Sequence, residues 1–141
     1  MNAASNTRAD RPDTLVYGIG NTGLSVARHL AARGIDAVYV DSRTEPPGLS
    51  ELRELVPDAQ VVVGGLSNNL LRDVSQIVVS PGIADNDEFL TEARATSIEI
   101  VSDVELFARN VAADCVAITG SNCLQNVQVR RFHGICHVYV D

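Results

Sequence analysis

Short apolar runs alternate with helical patterns along most of this chain, and this alternation limits the possible folds most strongly. Five runs rich in Val and Ile are predicted to be strands: residues 15–19, 37–41, 60–63, 77–80 and 98–101. The helix patterns are residues 22–33, 50–56, 68–73, 87–96 and 103–110. Strands that are apolar on both faces and separated by helices are typical of a parallel, doubly wound α/β sheet. The sequence therefore predicts a single domain with a Rossmann-like fold.

Composition and charge exclude several classes of function. A net charge of −7 does not provide the basic face that a nucleic-acid binder needs, so nucleic acid is not an expected partner. The sequence has no apolar run of about 18 residues, so no membrane span is expected. Residues 1–13 lack the apolar centre of a signal peptide and are interpreted as a flexible leader of a cytoplasmic protein. The three cysteines are predicted to be free thiols.

A glycine pattern follows the first predicted strand. Gly18-Ile19-Gly20-Asn21-Thr22-Gly23 opens the first helix, and Asp41 ends the next strand at the spacing expected for a ribose-binding acid. We expect Gly18 to permit a tight turn, Gly20 to let a diphosphate approach, and Gly23 to bring helix and strand together. The Asn21 and Thr22 amides would then face the anion. The alternative is a glycine turn that binds no ligand.

Two further segments are expected beside this pattern. If the strand order is 3-2-1-4-5, the loop Ser80-Pro81-Gly82-Ile83 lies next to the glycine pattern, where the winding reverses and ligands bind. The alternative is that Pro81-Gly82 simply ends a strand. Asp41-Ser42-Arg43 combines an acceptor, a hydroxyl and a guanidinium, which suit a ribose, a 2′-phosphate or the edge of a base. The residues alone therefore do not exclude an NAD(P)-binding module.

Other polar residues are predicted to have structural roles. His29 is expected to pack beside the first helix or face solvent. Ser102 and Glu105 fit a capping box, and an acidic cluster at another helix start is also expected to cap: Asp85, Asp87 and Glu88. In the tail, four residues could in principle bind zinc, but their spacing matches no usual structural site: Cys123, His133, Cys136 and His137. We therefore predict no metal and a loosely ordered tail.

A nucleotide-triphosphate loop begins near the C-terminus and is not completed. Thr119-Gly120-Ser121-Asn122 follows an apolar run, but Cys123 stands where Gly-Lys-Ser/Thr would continue the loop. All eleven basic residues are arginine, and a guanidinium fork replaces a compact ammonium poorly among phosphate oxygens. The sequence therefore predicts no ATP-driven chemistry by this chain.

The motifs occur together in an order that resembles the Mur ligases, and more narrowly their MurD group. The likeness spans residues 15–122 and rests on five segments: residues 18–25, 41–43, 46–49, 80–83 and 98–107. In that family an N-terminal Rossmann-like domain grips the UDP end of UDP-N-acetylmuramoyl-L-alanine, a central domain binds ATP and Mg²⁺, and a C-terminal domain delivers D-glutamate for peptidoglycan synthesis. The resemblance implies that this chain carries the first domain and no cofactor of its own.

Carried over to this sequence, the resemblance assigns roles to individual residues. Asp41, Ser42 and Arg43 would surround the uracil. The glycine pattern and the next loop would line the diphosphate and sugar, through Gly20, Asn21, Thr22, Gly23, Ser80, Pro81 and Gly82. These assignments favour a UDP-sugar over NAD(P).

The same resemblance implies a division of the chain. Residues 14–112 would form the UDP-sugar-binding domain, residues 113–122 would start an ATP-binding domain, and residues 123–141 would be a divergent tail. The abrupt change after Asn122 suggests a frameshifted or truncated product that is inactive as a ligase on its own. Translation of the gene past codon 122 in the other two reading frames tests this hypothesis. If the hypothesis is wrong, neither frame encodes the Gly-Lys-Ser/Thr continuation of the loop.

Overall fold

The computed structural model describes residues 12–112, 127–132 and 135–140. The chain divides into two compact units, Met1–Asp103 and Val104–Asp141. The first unit contains the sheet and the segments predicted to bind a ligand, so it is described first.

The first unit is built on a five-stranded parallel sheet. Its strands are β1 (Thr14–Tyr17), β2 (Val38–Asp41), β3 (Val61–Val63), β4 (Gln76–Val79) and β5 (Glu99–Ser102). Their order is β3-β2-β1-β4-β5, which confirms the predicted doubly wound topology. Tyr17 pairs with Val40 on one side and Val79 on the other. The C-terminal ends of β1, β2 and β4 therefore lie side by side, at the point where the winding direction reverses.

Three α-helices connect these strands: α1 (Asn21–Ala31), α2 (Leu49–Leu55) and α3 (Glu88–Ala95). The predicted helix at residues 68–73 is wrong in type, because the structure forms only a short 3₁₀ helix, Asn68–Leu71. Arg72 is already extended, and Asn residues at the start compete with helical hydrogen bonding. The connection from β3 to β4 therefore contains one short turn of 3₁₀ helix and no α-helix.

Apolar side chains cover both faces of the central strands. Every residue of β1 and β2 is buried, as predicted from their Val and Ile content. Leu15, Tyr17, Val40 and Ile77 belong to the cluster that also contains Leu90 of α3. Residues on a strand alternate between faces, so Tyr39 lies on the opposite face from Val40.

The first strand ends earlier than predicted. Residues 15–19 were expected to be extended, but β1 ends at Tyr17 and Gly18 adopts a φ of +107°. A positive φ turns the chain out of the sheet, so Ile19 is buried without being part of the strand. The turn to α1 therefore begins immediately after Tyr17.

The second unit contains the helix α4 apart from its first residue, and a two-stranded antiparallel ribbon. α4 spans Asp103–Asn110, and the ribbon consists of β6 (Val127–Phe132) and β7 (Ile135–Val140). The register pairs Val127 with Val140 and Phe132 with Ile135. The expected loosely ordered tail thus differs from the structure, and the frequent β-branched residues in these segments favour strands.

Several predicted features lie outside the described residues. They include the incomplete loop Thr119-Gly120-Ser121-Asn122, as well as Cys123 and His133 and the side chains of Cys136 and His137. In the part that the structure describes, no helix combines the length and apolar character needed to cross a membrane.

Candidate functional site

Two glycines shape the loop between β1 and α1, which we call the glycine loop (residues 18–23). A Cβ atom on Gly18 would lie 2.6 Å from Oγ of Ser80, and one on Gly23 would lie 2.0 Å from the carbonyl oxygen of Gly18. Neither approach is possible without displacement of the neighbouring atoms. The structure therefore confirms the tight turn predicted at Gly18 and the close helix–strand approach predicted at Gly23.

Gly20 differs from the other two glycines because the space beside it is open. An added Cβ at Gly20 would meet nothing within 4 Å. Gly20 is also the N-cap of α1, and it has no side chain with which to cap this helix start. The first amides of a helix have no intrahelical acceptor, so Asn21 and Thr22 present N–H groups next to open space. This arrangement is suited to an anion, which remains a prediction for this chain.

The loop after β4, residues 80–83, lies against the glycine loop as predicted; we call it the Ser80 loop. The Ser80 N–H donates to the carbonyl of Tyr17 at 3.0 Å, and its hydroxyl donates to the carbonyl of Gly18 at 3.3 Å. A turn through Pro81 and Gly82 is closed by the Ile83 N–H, which donates to the carbonyl of Ser80 at 3.0 Å. Pro81 and Gly82 are exposed, so the loop borders the crevice with accessible backbone.

Asp41 lies at the end of β2 with only 1% of its surface exposed. Its Oδ2 accepts from the Ile19 N–H at 2.7 Å and from Nη2 of Arg43 at 2.8 Å. Its Oδ1 accepts from the backbone N–H and the Nε of Arg43, both at 2.9 Å. Both carboxylate oxygens are thus occupied by groups of the protein itself.

These contacts decide the charge of Asp41. Burial alone would raise the pKa of Asp41, but the hydrogen bonds from the Arg43 side chain and from the Ile19 and Arg43 backbone outweigh it and lower the pKa to about 2. The same pairing raises the pKa of Arg43. Asp41 is therefore a fixed negative charge that holds Arg43, while the side chains of Ser42 and Arg43 are exposed at the crevice.

The loop after β2 is also hydrogen-bonded to the glycine loop. The Gly48 N–H donates to the carbonyl of Ile19 at 3.1 Å, and the preceding Pro46 is buried. Ile19 thus donates to Asp41 and accepts from Gly48, so its backbone is held on both sides. The three predicted segments form one connected edge of the sheet.

A contact between Tyr17 and Asp87 was not found by sequence reasoning. Asp87 caps α3 as predicted, because its Oδ1 accepts from the N–H groups of Phe89 at 3.0 Å and Leu90 at 3.2 Å. Its Oδ2 accepts from the hydroxyl of Tyr17 at 3.1 Å. The available signal was a tyrosine within a predicted buried strand, since a buried hydroxyl usually has a partner.

His29 lies away from these segments, near the C-terminal end of α1. Its Nδ1 is 3.0 Å from Nη1 of Arg33. Burial and the Arg33 charge lower the pKa of His29. Because α1 rises by about 1.5 Å per residue, His29 is roughly 10 Å along the helix from the glycine loop.

Comparison with known proteins identifies the family. The family model for the N-terminal domain of MurD-like Mur ligases matches residues 12–102. The chain belongs to the MurD-like Mur ligases. Two curated relatives named UDP-N-acetylmuramoylalanine–D-glutamate ligase, from Nitrosococcus oceani and Shewanella oneidensis, are 47% and 44% identical to it. The matches cover 77% of this chain but only 24% and 25% of the relatives, so the chain spans about a quarter of their length.

Two solved structures of peptide ligases share this fold. A murein peptide ligase Mpl from Psychrobacter arcticus superposes with a TM-score of 0.57 at 18% identity, over 70% of this chain and 20% of its own. A pseudomurein peptide ligase type C from Methanothermus fervidus also gives a TM-score of 0.57, at 19% identity, over 72% of this chain and 21% of its own. These likenesses support the Rossmann-like architecture.

Proposed function

We propose that this MurD-like domain binds the UDP end of UDP-N-acetylmuramoyl-L-alanine in the crevice between the glycine loop, the Ser80 loop and the segment Asp41-Ser42-Arg43. The observation that carries the proposal is the uncapped start of α1 beside the open face of Gly20. Membership of the MurD-like family supplies the class of ligand, because the curated relatives are named for a UDP-N-acetylmuramoylalanine substrate.

The diphosphate is assigned to the start of α1. The first amides of a helix have no acceptor within it, so these amides and the helix dipole both favour negative charge there, and Gly20 leaves room for close approach of an anion. The Ser80 loop borders the same space, with Pro81 and Gly82 exposed. We assign the Ser80 loop to contacts with the sugar.

The uracil is assigned to Ser42 and Arg43. Asp41 occupies the Nε and Nη2 edge of the guanidinium, while 56% of the Arg43 side chain is exposed. A guanidinium held at one edge keeps a planar face, on which an aromatic base stacks well. Asp41 thus acts indirectly, by orienting Arg43 and the glycine loop.

The contacts of Asp41 also favour UDP over NAD(P). In dinucleotide-binding folds, the acid after the second strand accepts hydrogen bonds from a ribose hydroxyl. Here Ile19 and Arg43 together supply four N–H groups to that carboxylate. A ribose would have to compete with a charged, bidentate partner.

We further propose that this chain binds its ligand without catalysing ligation by itself. Formation of an acyl phosphate from ATP needs a cation of lysine type among the phosphates, and these 141 residues contain no lysine. A frameshifted origin of residues 123–141 is part of this proposal.

Isothermal titration calorimetry of the full chain tests the binding assignment. UDP-N-acetylmuramoyl-L-alanine and UDP are expected to bind, and NADH is expected to give no saturable heat. Binding of NADH alone would overturn the assignment. Release of ADP from ATP in the presence of D-glutamate and the UDP-sugar would overturn the proposal of catalytic silence.

A further inference from the structure

The loop after β3 contacts the segment Asp41-Ser42-Arg43, and no sequence motif indicated this contact. Gly64 is the first residue after β3, and Val63 before it pairs with Asp41 of β2. The N–H of Gly64 donates to the carbonyl of Asp41 and to the carbonyl of Arg43, both at 3.0 Å. One amide therefore binds the residues on either side of Ser42.

The backbone of this segment is thus held at two places. The Asp41 carboxylate accepts from the backbone N–H of Arg43 at 2.9 Å, and the Gly64 N–H holds the two carbonyls. Ser42 lies between these contacts, and the side chains of Ser42 and Arg43 are exposed. A fixed backbone limits the directions in which these side chains can point, so less ordering remains to be done when a ligand binds.

Only glycine adopts the backbone conformation at position 64 without strain. Its φ is +86°, a value that residues with a Cβ rarely adopt. Space is not the obstacle, because an added Cβ would lie 3.4 Å from Cγ2 of Thr44, an ordinary contact distance. An alanine would therefore be strained by its φ alone. Relief of this strain requires a shift of the backbone, and the N–H that holds both carbonyls shifts with it.

We propose that Gly64 is a positioning residue for the nucleobase, whose N–H fixes the backbone from which Ser42 and Arg43 bind the base. This inference rests on the proposed function, which assigns the uracil to these two residues. It adds the loop after β3 to the candidate site, as a fourth segment that acts without touching the ligand.

The contacts of Gly64 concern the base and not the diphosphate. Both of its acceptors belong to Asp41-Ser42-Arg43, whereas the diphosphate is assigned to the start of α1. A change at Gly64 should therefore weaken recognition of the base and leave the diphosphate contacts as they are. ADP distinguishes the two effects, because it shares the ribose and diphosphate of UDP and differs from it in the base.

The test is calorimetry of the full chain and its variants with UDP and with ADP. The wild-type chain is expected to bind UDP about tenfold more tightly than ADP. In Gly64→Ala the affinity for UDP should fall by about fivefold or more, while the affinity for ADP changes by less than about twofold. The affinity for UDP alone decides if ADP binding is too weak to measure.

Gly34→Ala is the matched control. Gly34 also has a positive φ, of +65°, and an added Cβ there would meet nothing within 4 Å. It lies beyond the C-terminal end of α1, whereas the glycine loop lies at the start of that helix. The alanine strain is therefore of the same kind. Thermal unfolding should show a comparable loss of stability, but the affinity for UDP should stay unchanged.

Gly64→Asn tests the backbone conformation directly. Asparagine adopts a positive φ more readily than alanine does, so this variant should bind UDP within about twofold of the wild type. If Gly64→Ala does not fold, nuclear magnetic resonance of the wild-type chain decides the question. UDP should then shift the Gly64 amide resonance and slow its hydrogen exchange, and inorganic pyrophosphate should do neither.

The possible failures are distinguishable. If the wild-type chain does not bind UDP, both the proposed function and this inference are overturned. Three outcomes overturn only the inference: the wild type binds UDP and ADP equally well, Gly64→Ala loses no more UDP affinity than Gly34→Ala, or it loses affinity for UDP and ADP by the same factor. Equal losses of UDP affinity in Gly64→Asn and Gly64→Ala, or a Gly64 amide that does not respond to UDP, would overturn it as well.

Discussion

The backbone N–H of Ile19 donates a hydrogen bond of 2.7 Å to Oδ2 of Asp41, which joins the glycine loop after β1 to the end of β2. Both residues are buried, with 1% of their surface exposed. The same carboxylate holds the guanidinium of Arg43. One side chain therefore sets both the path of the glycine loop and the orientation of the exposed arginine.

Replacement of Asp41 should destabilise the fold, to a degree that depends on the substitute. Asp41→Ala leaves the buried N–H of Ile19 without its acceptor and should lower the free energy of unfolding by about 1–3 kcal/mol. Asp41→Asn is the matched control, because its amide oxygen can still accept a hydrogen bond from Ile19. It should therefore lose less stability than Asp41→Ala. Urea denaturation measures both. Equal stability of Asp41→Ala and the wild type would contradict the role assigned to this contact.

The same carboxylate should make stability depend on pH in the acid range. The folded pKa of Asp41 is about 2, below the ordinary value of 3.8 in an unfolded chain. The folded state therefore binds this proton less tightly, and the stabilisation is complete above about pH 5 and lost as the pH falls towards 2. The full effect is on the order of 2 kcal/mol.

Denaturation of the wild type and Asp41→Asn across this range measures that dependence. The difference in unfolding free energy between them should shrink from pH 5 to pH 2, because asparagine does not titrate. A difference that stays constant over the range would mean that Asp41 is not the group responsible.

The parallel, doubly wound arrangement followed from the sequence, and the approach of the Ser80 loop to the glycine loop was expected for the strand order that the structure shows. Runs such as Ile77-Val78-Val79 are apolar on both faces, which only a strand covered on both sides accommodates well. The glycine spacing then fixed the start of α1, because Gly23 allows a contact that no other residue permits. These are local properties, so they can be read from neighbouring residues.

What the sequence did not reveal are contacts between distant side chains. The position of Asp41 was predicted, but spacing cannot tell whether a carboxylate faces a ligand or the backbone of Ile19. The bond from Tyr17 to Asp87 joins residues 70 positions apart and depends on how α3 lies on the sheet. The 3₁₀ helix was missed because Asn68–Leu71 has a helical pattern too short to fix its type.

Alanine at two of the glycines should separate folding from binding. Gly23→Ala places a Cβ 2.0 Å from a backbone carbonyl and should cost about 3 kcal/mol or more of stability. Gly20→Ala meets no atom within 4 Å and has an extended φ of −123°, so its stability should stay within about 0.5 kcal/mol of the wild type.

Gly20→Ala should nonetheless weaken UDP binding by about tenfold or more, because the methyl group occupies the approach to charged hydrogen bonds at the start of α1. Thermal unfolding measured with and without UDP reports both effects in one experiment. If UDP stabilises the Gly20→Ala chain as strongly as the wild type, then the diphosphate binds elsewhere.

Arg43 should matter for UDP affinity through its shape as well as its charge. Arg43→Lys keeps the charge but cannot make the paired Nε and Nη2 bonds to Asp41, so its head is not held in a plane for stacking. We expect Arg43→Ala and Arg43→Lys to lose UDP affinity by about tenfold, the order of magnitude of a favourable cation–π contact. Arg28→Ala is the matched control, since Arg28 is an exposed arginine paired with Glu51. If calorimetry shows that Arg43→Lys binds UDP as tightly as the wild type, then only the charge of residue 43 contributes to binding. The planar guanidinium held by Asp41 then makes no contribution.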